Sequence, residues 1–243
     1  MGGLAEMSRT KLRDDQLPRG AGSAGDVPVI PAASVMVLRD RPLEVLMIRR
    51  HARSSFVPDA WVFPGGSVDA SDAGLGDGSE LSTRRVAAAR ELFEEAGIWI
   101  GAALAQSEQH RRALLDHAED FASLLPSAPI DLQRLVWTSR WITPVGVPKR
   151  FDTYFFLTEI GRDVVATVEH QEAVEVTWIA PADALRKDAA RSFPMVFPTI
   201  KNLEAITGFE SVAALLASRH GVDIPTTRPV LEVEDGEKGI VLP

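Results

Sequence analysis

The run Arg90-Glu91-Leu92-Phe93-Glu94-Glu95-Ala96-Gly97-Ile98 constrains this chain more than any other feature. As a helix turning about 100° per residue, it sets Glu94 and Glu95 on either side of Glu91 within an arc of roughly 100°. Arg90, four residues before Glu94, reaches that carboxylate from the flank. Gly97 stands where a helix-ending glycine belongs, and Val86, Leu92 and Phe93 fill the other sectors of the helix. Acids at this spacing usually make a solvated helix face. Here they follow Phe63-Pro64-Gly65-Gly66, a tight turn that ends the apolar stretch Trp61-Val62-Phe63. Clustered carboxylates repel one another unless a cation fills them, and hard oxygen donors in this number suit Mg²⁺ or Mn²⁺. A glycine turn beside an acidic helix fits a metal-chelated phosphate.

This combination resembles the signature of the Nudix hydrolase family: a glycine, a spacer, an acid, a spacer, then Arg-Glu-apolar-any-Glu-Glu-any-Gly-apolar. The second half matches throughout. Gly66 takes the place of the opening glycine, and Asp72 stands where the family usually has glutamate. The stretch from Asp69 to Leu81 looks like a loop insertion of about ten residues. It leaves Asp69 and Glu80 as equal candidates to approach the site. The resemblance covers residues 29–190 and implies an α/β/α sandwich with a mixed sheet. A second resemblance, to the coenzyme A diphosphatase branch of the family, is carried by Trp141-Ile142-Thr143-Pro144, Arg150 to Phe156, Val168 to Glu172 and Phe197-Pro198-Thr199. That branch also has a lengthened signature loop and an additional helix. Ser55 and Asp59 stand where other coenzyme A-cleaving members have arginine and glycine.

The resemblance implies divalent-metal-dependent hydrolysis of a nucleoside diphosphate linked to another moiety. Coenzyme A or acyl-coenzyme A would give 3′,5′-ADP and a phosphopantetheine. NADH, ADP-ribose or nucleotide hydrolysis, or a non-catalytic nucleotide-sensing module, are the alternatives; the intact acids favour an enzyme. Glu94 and Glu95 are then the principal ligands of Mg²⁺ or Mn²⁺. Glu91 is a further ligand or base, Arg90 orients the cluster, and the Gly66 carbonyl is an additional ligand. A distal acid is assigned to Glu172, with Glu169 and Glu175 as competitors. Gly65, Gly66, Arg50 and Arg150 are candidate substrate contacts, with Lys149 beside them. His170 reads as a surface or packing residue. Trp61, Trp141 and Tyr154 fit core packing better than base stacking, as aromatics in strands usually do.

The rest of the chain is consistent with one enlarged α/β domain. Residues 1–27, rich in Gly, Ala, Ser, Asp and Arg without periodicity, read as a flexible tail. Residues 28–224 read as the domain, with a helical insertion at about 103–129, and residues 225–243 as a C-terminal tail. Strands are expected at Val29–Leu38, Leu43–Arg50, Trp61–Phe63, Leu132–Ile142, Phe151–Leu157 and Val174–Ile179. Helices are expected at Ser82–Ala96 with Ser82 as N-cap, Ser107–Leu125, Pro181–Lys187, Pro198–Ile206 and Glu210–Ser218. The order places a mixed sheet between helices. No cysteine is present, which excludes thiol chemistry and thiolate metal sites. A net charge of −8 argues against a nucleic-acid surface. The absence of a long apolar run or an apolar leader points to a cytoplasmic protein off the membrane. A small-molecule diphosphate is the expected partner, and a homodimer is an assembly common among relatives.

Overall fold

Strand Val29–Arg39 shows how the sequence builds the core. Its side chains alternate between two faces, as the pleat requires. Val35 and Val37 enter one apolar cluster with Val86, Leu92 and Phe93; Met36 and Leu38 enter the other with Leu203 and Leu215. Both faces are covered, so the strand reads as a continuous apolar run rather than an alternating one.

The structure is a computed structural model that describes residues 9–18, 20–23, 25–54, 56–168, 173–234 and 237–242. In chain order the elements are β1 (Arg9–Lys11), β2 (Val29–Arg39), β3 (Glu44–Arg50), β4 (Trp61–Val62), β5 (Gly65–Ser67), α1 (Glu80–Ala96), α2 (Ser107–Leu115), α3 (Phe121–Leu124), β6 (Val136–Ile142), β7 (Arg150–Glu159), β8 (Ala173–Ile179), α4 (Pro181–Ala189), α5 (Phe197–Ile206), α6 (Val212–Ala217), β9 (Thr226–Thr227), β10 (Val230–Glu234) and β11 (Glu237–Val241). The main sheet runs β4-β3-β2-β7-β6-β9, with β5 paired to β2 and β8 to β3. It is mixed: β2 and β7 are parallel from Val29↔Arg150 to Leu38↔Glu159, whereas β6–β7 and β3–β8 are antiparallel. The α1 side chains enter one cluster and those of α5 and α6 the other, so helices flank both faces. Among the described residues no helix is long and apolar enough to cross a membrane.

Three expectations are corrected. The N-cap of α1 is Ser79, whose hydroxyl accepts from the Ser82 N–H at 3.1 Å, so the helix starts before Ser82. The single helix expected over Ser107–Leu125 is two pieces, because His117 adopts φ +55° between α2 and α3 and turns the chain. The terminal segments carry strands rather than tails: Arg9 pairs with Val241 and Lys11 with Gly239, and β10 completes a separate three-stranded sheet. Such a pairing joins opposite ends of the chain and leaves no trace in a local periodicity window.

Candidate active site

The turn after β4 delivers two glycines to a place where a side chain does not fit. β5 pairs antiparallel with β2 in the register Ala33↔Gly66 and Ser34↔Gly65. Gly65 has φ +152°, and a Cβ there would lie 2.3 Å from the Ala33 carbonyl oxygen. A Cβ on Gly66 would meet the Glu91 carboxylate, 2.5 Å from Oε2. Glycine is therefore required at both positions, for different reasons: the β2 backbone at Gly65, the Glu91 carboxylate of α1 at Gly66.

Helix α1 presents the acids to this turn. The Gly65 N–H donates to Glu95 Oε2 at 2.7 Å, and Glu95 is buried. Arg90 Nη1 donates to Glu91 Oε1 at 2.9 Å and to Glu94 Oε2 at 3.1 Å. Its Nη2 donates to the Ser67 carbonyl at 2.9 Å. The other side of the guanidinium forks onto Asp72, both bonds 3.0 Å. Asp72 is 0% exposed and also accepts from the Asp69 N–H at 2.8 Å, closing a capping box on a 3₁₀ turn at Ala70–Gly74. Burial by itself would lower the Arg90 pKa. The hydrogen bond to Asp72 and the charges of Glu91, Asp72 and Glu94 outweigh it and raise the pKa, so the guanidinium stays charged.

Of the acids near the lengthened loop, Asp72 is thus the one that reaches Arg90. Asp69 lines the cleft but caps the 3₁₀ turn, and Glu80 faces Arg84 at 3.2 Å. Asp72 lies far from Arg90 in sequence, so its partner is not readable from spacing.

Two buried arginines outside the sequence expectations hold α1 in place. Arg84 donates to the Ala32 carbonyl at 3.0 Å and to Asp152, tying α1 to β2 and β7. Asp152 also receives Arg140 at 2.9 and 2.7 Å. Burial would raise the Asp152 pKa, but the two arginines hold it below the ordinary carboxylate value. Arg111, on α2 and 1% exposed, donates Nε to the Glu94 carbonyl at 2.9 Å and clasps Thr167. A buried arginine on a helix otherwise reads as surface charge in a sequence, so neither position carried a signal.

A cleft of about 780 Å³ opens beside the turn. Gly65, Gly66, Arg90, Glu91, Glu94 and Glu95 all line it. Arg50 and Lys149 line it too, and the Arg50 Nε is buried with no hydrogen-bond partner among the described residues. Arg150 is not among the lining residues. Its guanidinium donates to the Thr143 and Val27 carbonyls and to Asp26, which ties the start of β7 to the preceding chain rather than offering charge to a ligand. Trp141 lines the cleft but packs edge-on against Phe197, Trp61 stacks on Phe193, and Tyr154 stacks on Trp137. Glu172, Glu169 and His170 lie outside the described residues. Glu175 is exposed, 3.6 Å from Arg49.

Among the described residues no three acidic or histidine groups already converge as a formed metal cage. Glu91 and Glu94 share the Arg90 Nη1, whereas Glu95 accepts from the Gly65 N–H. The chemistry of the donor set nevertheless fits a hard divalent ion: carboxylate oxygens on one helix face, bordering a cleft, with Gly66 leaving room beside Glu91.

Comparison with known proteins agrees with this geometry. The NUDIX domain family profile matches residues 29–197. A Caenorhabditis elegans protein designated nudix hydrolase 7 is 31% identical over 183 residues, covering 72% of this chain and 60% of that protein. The acyl-coenzyme A diphosphatase NUDT19 of Xenopus laevis is 24% identical over 234 residues, covering 71% of this chain and 62% of that protein. The chain thus spans about three-fifths of the length of these relatives. The crystal structure of a NUDIX hydrolase from Alicyclobacillus acidocaldarius superposes with a TM-score of 0.71 at 25% identity, covering 79% of this chain and 96% of that one.

Proposed function

The chain belongs to the Nudix hydrolase family, and from that premise we propose that it hydrolyses a nucleoside diphosphate linked to a second moiety, with coenzyme A or an acyl-coenzyme A as substrate. The observation that carries this reading is the set Glu91, Glu94 and Glu95, held by Arg90 and the Gly65 N–H at the edge of a cleft. The names of the NUDT19 relatives support the coenzyme A assignment.

Nudix hydrolases generally use divalent metal ions. Glu91, Glu94 and Glu95, with the Gly66 carbonyl, are the groups that would hold Mg²⁺ or Mn²⁺. Such ions neutralise diphosphate oxygens and acidify a water when bound. The chain's own residues supply positioning, which dominates phosphoryl chemistry. Arg90, braced by buried Asp72, fixes the Glu91 and Glu94 carboxylates. The Gly65 N–H fixes Glu95. Arg50 and Lys149 bring positive charge to the cleft, where they would meet substrate phosphates.

The test is a mass-resolved product assay with Mg²⁺ or Mn²⁺ on coenzyme A, an acyl-coenzyme A, NADH, ADP-ribose and nucleoside triphosphates. Release of 3′,5′-ADP with a phosphopantetheine is expected, with Glu95→Gln slower by at least about 100-fold. Cleavage of NADH or ADP-ribose alone would keep the chemistry and discard the substrate. Wild-type rates in Glu95→Gln would discard the site.

A further inference from the structure

The candidate cleft is not built from the family-matched span alone. That span is residues 29–197, yet Leu12, Leu17, Pro18 and Ile240 also line the cleft. Phe155 and Phe197 line it as well. Leu12, Ile240, Phe155 and Phe197 belong to one buried apolar cluster against which Leu17 packs, so this part of the lining is a wall of aliphatic and aromatic carbon. The carboxylates, Arg50 and Lys149 supply its charged lining. Gln16 is the polar exception in the N-terminal stretch, and its Oε1 already accepts the Arg13 N–H at 3.0 Å.

This wall is fixed. The Leu12 N–H donates to the Lys238 carbonyl at 3.0 Å, alongside the β1–β11 pairing. Arg13 Nη2 donates to Asp188 at 2.6 Å, and Asp188 also accepts the Met195 N–H at 3.0 Å. The N-terminal strap is therefore bolted to β11 on one side and to the end of α4 on the other. A nucleobase or ribose selected against this wall would need several convergent polar groups. An alkyl chain needs only apolar area removed from water.

We propose that the terminal segments form an apolar subsite of the cleft, with Leu12, Leu17, Pro18 and Ile240 against Phe155 and Phe197, that binds the acyl chain of an acyl-coenzyme A. This rests on the diphosphatase reading above and names the part of the substrate that this apolar wall selects. Leu17 lines the cleft and is only partly buried against the core cluster, so a charge placed there would oppose an alkyl chain without entering the core.

The experiment has two arms on the full chain. In the first, metal is chelated to prevent turnover, and calorimetry gives the Kd of coenzyme A and of its acetyl, butanoyl and octanoyl thioesters. A buried methylene strengthens binding by up to about fourfold, so octanoyl-coenzyme A is expected to bind at least about tenfold more tightly than acetyl-coenzyme A. In Leu17→Asp that ratio should fall to within about twofold. Pro18→Asp serves if Leu17→Asp fails to fold, as judged by its melting transition. A wild-type Kd that does not vary with chain length, or no binding of octanoyl-coenzyme A, overturns the subsite. So does an equal loss for coenzyme A and octanoyl-coenzyme A in the variant, because the wall would then contact the part common to both. In the second arm, Mg²⁺ is restored and release of 3′,5′-ADP is measured. Absence of product there refutes the diphosphatase reading, whereas a flat first arm with product formed refutes the subsite alone.

Discussion

Gly66→Ala separates the site from the scaffold. The added Cβ would sit 2.5 Å from Glu91 Oε2 and 2.6 Å from its Cδ. Ordinary contact begins at 3.4 Å, so the carboxylate must retreat by roughly 1 Å. A displacement of that size in a catalytic group costs about 100-fold in rate, equivalent to about 2.7 kcal/mol. The obstructing atoms end a side chain, and Gly66 does not need a left-handed backbone, so the fold should yield little. Gly65→Ala is the contrast. Its Cβ would strike the Ala33 carbonyl at 2.3 Å and Ser34 Cα at 2.6 Å, with φ +152°, so β5 must leave β2, at a cost of about 1–3 kcal/mol or more. The assay is kcat/KM on the substrate that the product screen identifies, beside thermal melting of both variants. Gly66→Ala retaining a third of wild-type kcat/KM refutes the reasoning. So does Gly66→Ala melting as low as Gly65→Ala, because the lost rate would then follow from unfolding.

Two further outcomes test the network behind the site. Asp72→Ala removes both bonds of a buried fork and should lower unfolding free energy by about 3 kcal/mol, read by urea denaturation; a change below about 1 kcal/mol would make Asp72 dispensable. Asp152, held below its ordinary pKa of 3.8 by Arg140 and Arg84, contributes stability that is complete above that value and lost as pH falls through its folded pKa. The stability gap between wild type and Asp152→Asn should therefore narrow below about pH 4; a gap that holds constant to about pH 2.5 contradicts the pairing.

What the sequence determined by itself was local. The spacing of Glu91, Glu94 and Glu95, the stop at Gly97 and the turn at Gly65-Gly66 follow from helix and turn geometry, which acts over a few residues. The buried strands followed from their apolar runs, and the mixed sheet was implied by the family resemblance, whereas the parallel pairing of β2 with β7 came from the structure. Only the tertiary structure chose Asp72 over Asp69 and Glu80 as the brace of Arg90, because that choice depends on how the lengthened loop packs against α1. Only the tertiary structure turned Arg150 away from the cleft and brought Arg111 onto the Glu94 carbonyl. It also carried Leu12 and Ile240 to the cleft, through a strand pair that joins the two ends of the chain. Contacts between residues far apart in sequence are decided by which surfaces the core leaves facing each other, and no local pattern encodes that choice.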